Sequence, residues 1–255
     1  MLYLYMRVAF VLYGQPRDYI SGYNNIMQFY KNQENVIIDF FYHCWVLNPG
    51  EEYKVSPWRE INKNTLCYAE NIEESIKKLY NPICYEYELQ KTFDATKYKN
   101  TIAYNNTAKK QVHIDNISNT LSNIYSKGKA RNLLDAHIKE TNTCYDFVIF
   151  TRFDMQTMPN LKLTELDKSK TYVSDVNRPR ALISDALIIT PTRTFLEWFN
   201  IYERLTDILD NESLLKIIRS LGETIYINPE ELILAKYILH NKNIDNIAYF
   251  KGGYT

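Results

Sequence analysis

Three short apolar runs, each ending abruptly in polar groups, constrain this chain more than any other feature. They are VAFVLYG (Val8 to Gly14), VIIDFFYHCW (Val36 to Trp45) and the FVIF of YDFVIFTRFDMQ (residues 145 to 156). Runs that are nearly continuous, without strict alternation, suit strands buried on both faces of a parallel sheet. A helix is expected between the first two, from about Asp18 to Tyr30. Strand, helix and strand at that spacing read as a βαβ unit, so the fold class is α/β. No repeat, Gly/Ser linker or long charge block divides the 255 residues, and one domain is expected.

Further along, Asn71 and Glu74 are spaced to cap a short helix to Leu79, and ICYEYEL reads as a strand. Residues 90–113 are polar and read as a long mobile loop. A helix is expected from about Asp115 to Glu140, carried by Ile117, Leu121, Ile124 and Tyr125, with Gly128 as a weak point. TYVSD and ALIIT read as strands. Thr190 and Pro191 start a helix through Trp198, with Pro at its first position. NPEELILAKYILH carries Asn228 as cap, Pro229 first and Glu231 completing a capping box.

Composition excludes some functions. With 45% hydrophobic residues the chain can build a core without disulfides. Thirty basic side chains balance thirty acidic ones, which argues against wholesale binding of nucleic acid or anionic membrane. Cys44, Cys67, Cys84 and Cys144 lack zinc spacing and read as small buried hydrophobes in a reducing compartment. MLYLYMRVAFVLYGQPR has no basic leader region, is interrupted by Arg7, and is too short to span a bilayer. A cytoplasmic protein without a transmembrane segment is expected. A chain rich in Asn, Lys, Ile and Tyr, with only 7 Gly, fits an AT-rich genome.

In open α/β sheets ligands bind outside the carboxyl ends of the strands, and GQPR, HCW and TRFD all fall at such ends. Asp154 could hold Mg²⁺ or Mn²⁺, and Arg152 offers a fork of donors suited to phosphate. An ion pair closing off the sheet is the plainer alternative. Gly14 permits close backbone approach, and Arg17 follows at a helix N-terminus that favours anions; an ordinary turn with a surface arginine explains them equally. His43 reads as structural, and Trp45 as core packing or, alternatively, a stacking face for a sugar or base. Asp185, just before an apolar strand, is either a general base or a strand terminator. Walker and G-x-G-x-x-G motifs are absent, which disfavours P-loop, dinucleotide and methyltransferase readings.

Taken in order, YGQPRDY, DFFYHCW, SNIYSKGKARNLL and YDFVIFTRFD resemble small GT-A-type glycosyltransferases of large DNA viruses and bacteria. In that family the first strand ends in Gly-Gln-x-Arg and the second in His-x-Trp. A helix similar to NIYSKGKARNLLD then precedes Tyr-Asp and a strand ending in Arg-x-Asp. ISDALIITPTRTF and NPEELILAKYILHNKNI resemble its aspartate-plus-strand segment and closing Pro-Glu helix. The resemblance covers nearly the whole chain, apart from roughly residues 46–110 and 205–222.

What the resemblance implies is a single GT-A-like, Rossmann-like domain with a mostly parallel central sheet flanked by helices. Residues 1–155 would form a nucleotide-sugar half and 156–255 an acceptor half. It implies transfer of a hexosyl or deoxyhexosyl group from a nucleoside-diphosphate sugar to a glycan or other hydroxyl acceptor. Mn²⁺ or Mg²⁺ is implied at Asp154, the last carboxylate of the family's Asp-x-Asp motif. Arg152 stands where the first carboxylate would be, and would contact the diphosphate directly. Arg17 and Lys129 are further candidates for nucleotide or diphosphate contacts. Asp185 is the expected base if transfer inverts the anomeric centre, and an acceptor ligand if it retains it. Residues 90–113, or those before Asn71, would close over the donor. The rivals are a non-catalytic nucleotide- or glycan-binding domain and a structural α/β domain.

Overall fold

The computed structural model describes residues 5–48, 51, 71–108, 117–175, 183–221, 227–240 and 243–252, with the side chains of 106–108 outside that description. One seven-stranded sheet organises it, in the order β3-β2-β1-β4-β6-β5-β7. The apolar runs are its centre: β1 (Met6–Gly14), β2 (Val36–Val46) and β4 (Phe147–Arg152). β1 lies parallel to both β2 and β4, and β2 is parallel to β3 (Cys84–Leu89). β6 (Leu187–Pro191) runs antiparallel to β4 and to β5 (Thr171–Ser174), which pairs in parallel with β7 (Ile247–Phe250). The sheet is therefore mixed and mostly parallel.

Both faces are covered, as continuous apolar strands require. On one face α1 (Tyr19–Lys31) and α2 (Ile72–Tyr80) bring Ile26, Phe29 and Ile76 against Phe10, Leu12 and Ile149. On the other, α4 (Ile117–Thr141) packs Leu121, Ile124 and Leu134 against Ala9, Val11 and Phe150. That face continues through α5 (Thr192–Trp198), α6 (Leu205–Leu209), α7 (Glu212–Ser220) and α8 (Pro229–Leu239). Among the described residues, no helix is long and apolar enough to cross a membrane.

Several expectations are corrected. The loop over 90–113 contains a 3-10 turn (Thr96–Tyr98) and α3 (Ile102–Ala108), because Phe93, Tyr98 and Ala103 are buried in the core. Described residues 90–105 are thus packed structure, and the remainder of that stretch, 109–113, lies outside the description, as do residues 52–70 before Asn71. Asn71 adopts a left-handed conformation and its side chain makes no cap hydrogen bond. Pro191 ends β6 and precedes α5, where it was expected to open the helix. Cys44 is buried, but Cys84 is half-buried and Cys144 exposed; Cys67 lies outside the description.

Candidate active site

Chain direction across the sheet changes between β1 and β4: β2 and β3 build outward on one side, and the chain then returns to add β4 on the other. Such a switch point leaves a crevice at the carboxyl ends of the two strands. Tyr13 and Arg152 are register partners there. Gly14 follows at φ +94°, a conformation open to glycine, and a Cβ built on it would meet nothing within 4 Å. Its N–H donates to Ser126 Oγ of α4 at 2.8 Å.

Arg152 points to the α4 face of the sheet and Phe153 to the other, where its ring meets Tyr42 and Tyr80 at 5.4 and 5.7 Å. Arg152 Nη2 donates to Asp154 Oδ2 at 2.8 Å; the arginine side chain is 22% exposed and the aspartate 0%. Burial opposes the arginine's charge, but Asp154, Tyr13 and Asp185 raise its pKa above the ordinary value.

α4 and two later segments complete a charged cluster. Lys127, buried beneath the helix, donates to Asp185 Oδ2 at 3.1 Å and lies 4.8 Å from the Tyr13 ring centroid. The Tyr13 hydroxyl donates to the Asp185 main-chain oxygen at 2.6 Å, and Asn123 Nδ2 to Asp185 Oδ2 at 3.5 Å. Asp185 reaches the crevice because β6 runs against β4, so the residues before β6 lie beside the end of β4. Thr151 Oγ1, donating to Ala186 O at 2.7 Å, secures that approach.

The cluster's carboxyls are tuned apart. Burial pushes the Asp185 carboxyl up, but Lys127 and then Arg152 outweigh it and hold its pKa below the usual range. Glu230 lies in the first turn of α8, where the helix dipole favours negative charge. Burial, and then repulsion from Asp185, nevertheless push its carboxyl up to about 7. One carboxyl held below the usual range and another raised toward neutrality form an arrangement that can divide acid and base roles.

Lys129 and Arg17 are each engaged by neighbouring side chains. Lys129, expected at the diphosphate, points toward β3 and is ion-paired with Glu86 at 2.5 Å and Glu88 at 3.2 Å. Arg17 Nε donates to Gln15 Oε1 at 3.0 Å, at the entry to α1. Trp45 is buried and stacked on Tyr125 with centroids 5.5 Å apart, consistent with its structural reading.

A divalent metal fits these residues poorly. Magnesium and manganese need accessible carboxylate oxygens, whereas the Asp154 carboxylate is sealed and bonded to Arg152. Among the described residues, no group of three or more His, Cys, Asp or Glu could hold a metal ion. Among the described residues, Arg152 and Lys127 bring positive charge to the crevice.

His43, Ser126 and Glu88 form a row that resembles a hydrolytic triad without its geometry. His43 Nδ1 lies 2.8 Å from Ser126 Oγ and Nε2 lies 3.3 Å from Glu88 Oε1. Ser126 is fully buried and accepts from Gly14 N–H while bonded to His43, so the row is a strut under the β1 turn. Burial pushes the His43 pKa down to about 4 from 6.5. Between those values the unfolded chain binds the extra proton, so stability falls as pH drops from about 6.5 to about 4, by about 3 kcal/mol in all. Glu230 acts with opposite sign: the folded chain holds its proton from pH 4.5 up to about 7, so acidification through that window stabilises. Glu230→Gln removes this compensation. Its urea midpoint is expected to fall more steeply than that of the wild type between pH 7 and 4.5, and parallel curves would show that Glu230 does not titrate there.

Sequence reasoning missed Tyr13, Asn123, Lys127 and Glu230. The signal for Lys127 was present: the Ile117, Leu121, Ile124 stripe continues onto it, and a lysine on the buried face of a helix requires a partner.

No protein-family model matches the chain, and no curated protein matches it. Among solved structures it is similar to the apo-form glycosyltransferase GlyE of Streptococcus pneumoniae TIGR4. That similarity has 10% identity and a TM-score of 0.34, over 96% of this chain and 44% of that one. It is also similar to the galactosyltransferase LgtC in complex with donor and acceptor sugar analogues, at 12% identity and a TM-score of 0.38, over 96% of this chain and 73% of that one. The chain thus spans less than half the length of the first of these proteins.

Proposed function

We propose that this chain transfers a sugar from a nucleoside-diphosphate sugar to an acceptor hydroxyl, without a metal at Asp154. One observation carries the reading: at the switch point, where open α/β sheets bind their ligands, Gly14 has free space at its Cβ position, and a partly exposed arginine, a buried lysine and two oppositely tuned carboxyls gather at the same strand ends. The motif order that resembles GT-A-type glycosyltransferases supports it.

In this reading the donor diphosphate lies against the Gly14 backbone and Arg152. The bond from the anomeric carbon to the diphosphate oxygen breaks as the bond to the acceptor oxygen forms, through an oxocarbenium-like transition state. Negative charge gathers on the departing oxygen, where Arg152, held in place by Asp154, stabilises it. The acceptor's proton passes to Glu230. Asp185, assigned that role from sequence, is the weaker base because Lys127 holds it ionised; its part is to anchor Lys127 and Tyr13.

A thermal-shift screen of UDP-, GDP- and dTDP-sugars tests the reading, since binding to the folded chain alone raises its stability. A hit is expected that Arg152→Met removes; silence across the panel would defeat the proposal. Glu230→Gln is expected to keep the donor shift while lowering kcat by roughly 10²–10⁴-fold. In the wild type, kcat/KM should rise with pH through about 7 as Glu230 loses its proton. A non-catalytic nucleotide-binding domain is the second reading, favoured by the sealing of Asp154; donor binding without turnover would select it.

A further inference from the structure

A cavity of about 290 Å³ lies on the opposite face of the sheet from Lys127, between α1 and the strap that follows β4. Its chemistry is uniform. Six carboxamide side chains line it, Asn25, Gln28, Asn32, Gln33, Gln156 and Asn160, and none of the lining residues is ionisable. The four on or just after α1 recur at helical spacing, so they form one stripe about 12 Å long. A helix face turned toward its own protein is ordinarily apolar.

Two of the amides build the groove. Asn25 Nδ2 donates to the main-chain oxygens of Met155 and Gln156 at 2.9 and 2.5 Å. Gln33 Nε2 donates to Leu161 O at 3.0 Å, and its Oε1 accepts from Leu163 N at 2.9 Å. The strap is thereby clamped at both ends, with the cavity between it and α1. In that gap Gln28, Asn32, Gln156 and Asn160 are exposed, and among the described residues their amides make no hydrogen bond within the protein. The nearby charges, Lys162 and Glu34, sit at the lip, where Lys162 Nζ donates to the Asn32 main-chain oxygen.

We infer that this groove binds a neutral, hydroxyl-rich chain, an oligosaccharide. Under the glycosyl-transfer reading, on which this clause rests, it holds units of the acceptor remote from the reacting hydroxyl. A primary amide presents a donor and an acceptor in one plane, matching pairs of adjacent hydroxyls, and Phe29 with Met158 supplies an apolar floor for a sugar face. An anionic ligand finds no counter-charge among the lining residues. An extended peptide finds no strand edge to pair with, because the walls are a helix and an irregular strap. The groove also adjoins the crevice in sequence: the strap begins two residues after Asp154, and Gly22 of α1 touches the Phe153 main chain between them.

The test is ¹⁵N NMR of side-chain amides, titrating neutral tetrasaccharides of glucose, galactose, mannose and N-acetylglucosamine. Sulphated tetrasaccharides and an alanine–glycine peptide form the other arms. Shifts confined to the amides of Gln28, Asn32, Gln156 and Asn160, with at least one neutral sugar and not with the other arms, are expected. The Gln28→Glu/Asn32→Asp variant should weaken that binding at least tenfold while leaving any nucleotide-sugar thermal shift unchanged. Groove shifts without any nucleotide-sugar binding would keep the groove and remove the transfer reading. Nucleotide-sugar binding with no groove shift from any neutral sugar, or equal shifts from the sulphated or peptide arms, would overturn the inference.

Discussion

The Gly22→Ala variant is expected to lose more stability than the ~1–3 kcal/mol typical of an overpacked core. A Cβ on Gly22 would lie 1.7 Å from the carbonyl oxygen of Phe153 and 2.9 Å from its carbonyl carbon. Both are main-chain atoms, so no rotamer change relieves the clash; α1 or the turn at the end of β4 has to move. Helix propensity works in the opposite direction, since replacing glycine by alanine in a helix interior ordinarily gains ~1 kcal/mol. Gly128, in the middle of α4, is the internal control: its Cβ would meet nothing closer than Phe199 O at 4.0 Å. Urea denaturation should therefore show Gly128→Ala at or above wild-type stability and Gly22→Ala well below it, with similar m-values. Because Phe153 lies between Arg152 and Asp154, the same variant should also weaken nucleotide-sugar binding under the proposed reading. A Gly22→Ala protein as stable as wild type would mean that α1 does not pack this closely on the turn.

Lys127→Met has the second large effect. Removing one member of a buried ion pair costs about 3–5 kcal/mol, chiefly because the other charge is left without compensation. Here the stranded charge is Asp185, with Glu230 nearby adding repulsion. Two consequences distinguish this from simple loss of packing. The double variant Lys127→Met/Asp185→Asn should recover much of the loss, giving a strong coupling energy in a double-mutant cycle. Lys127→Met alone should regain stability on acidification, because the Asp185 carboxyl, released from Lys127, is raised by burial and takes up a proton in the folded state. Additive effects in the cycle would show that the two side chains act independently.

The centre of the fold was legible because β1, β2 and β4 are buried on both faces and have to be apolar throughout. The rim was less so. β7 is four residues long and only partly buried, and α6 and α7 cover the sheet with apolar residues that form no long periodic run. Residues 90–105 looked polar, yet only Phe93, Tyr98 and Ala103 had to be apolar to pin them down. At the site, Arg152, Asp154, Gly14 and Asp185 were identified from strand ends, which a sequence reveals. The choice between Lys127 and Lys129 required the phase of α4, since two residues on a helix point about 200° apart. Glu230 resembled an ordinary first-turn acid, and only its burial near Asp185 sets it apart.

The reversed course of β6 has an evolutionary corollary. Its neighbours β1 and β4 deliver side chains to the crevice where they leave the sheet, but β6 delivers Asp185 on arrival. Insertions or deletions ahead of Ile183 can therefore remodel that side of the mouth while the hydrogen-bond register of the parallel strands stays fixed. Under the transfer reading, the side of the crevice reached by β6 can then change while the side formed by Gly14 and Arg152 stays as it is.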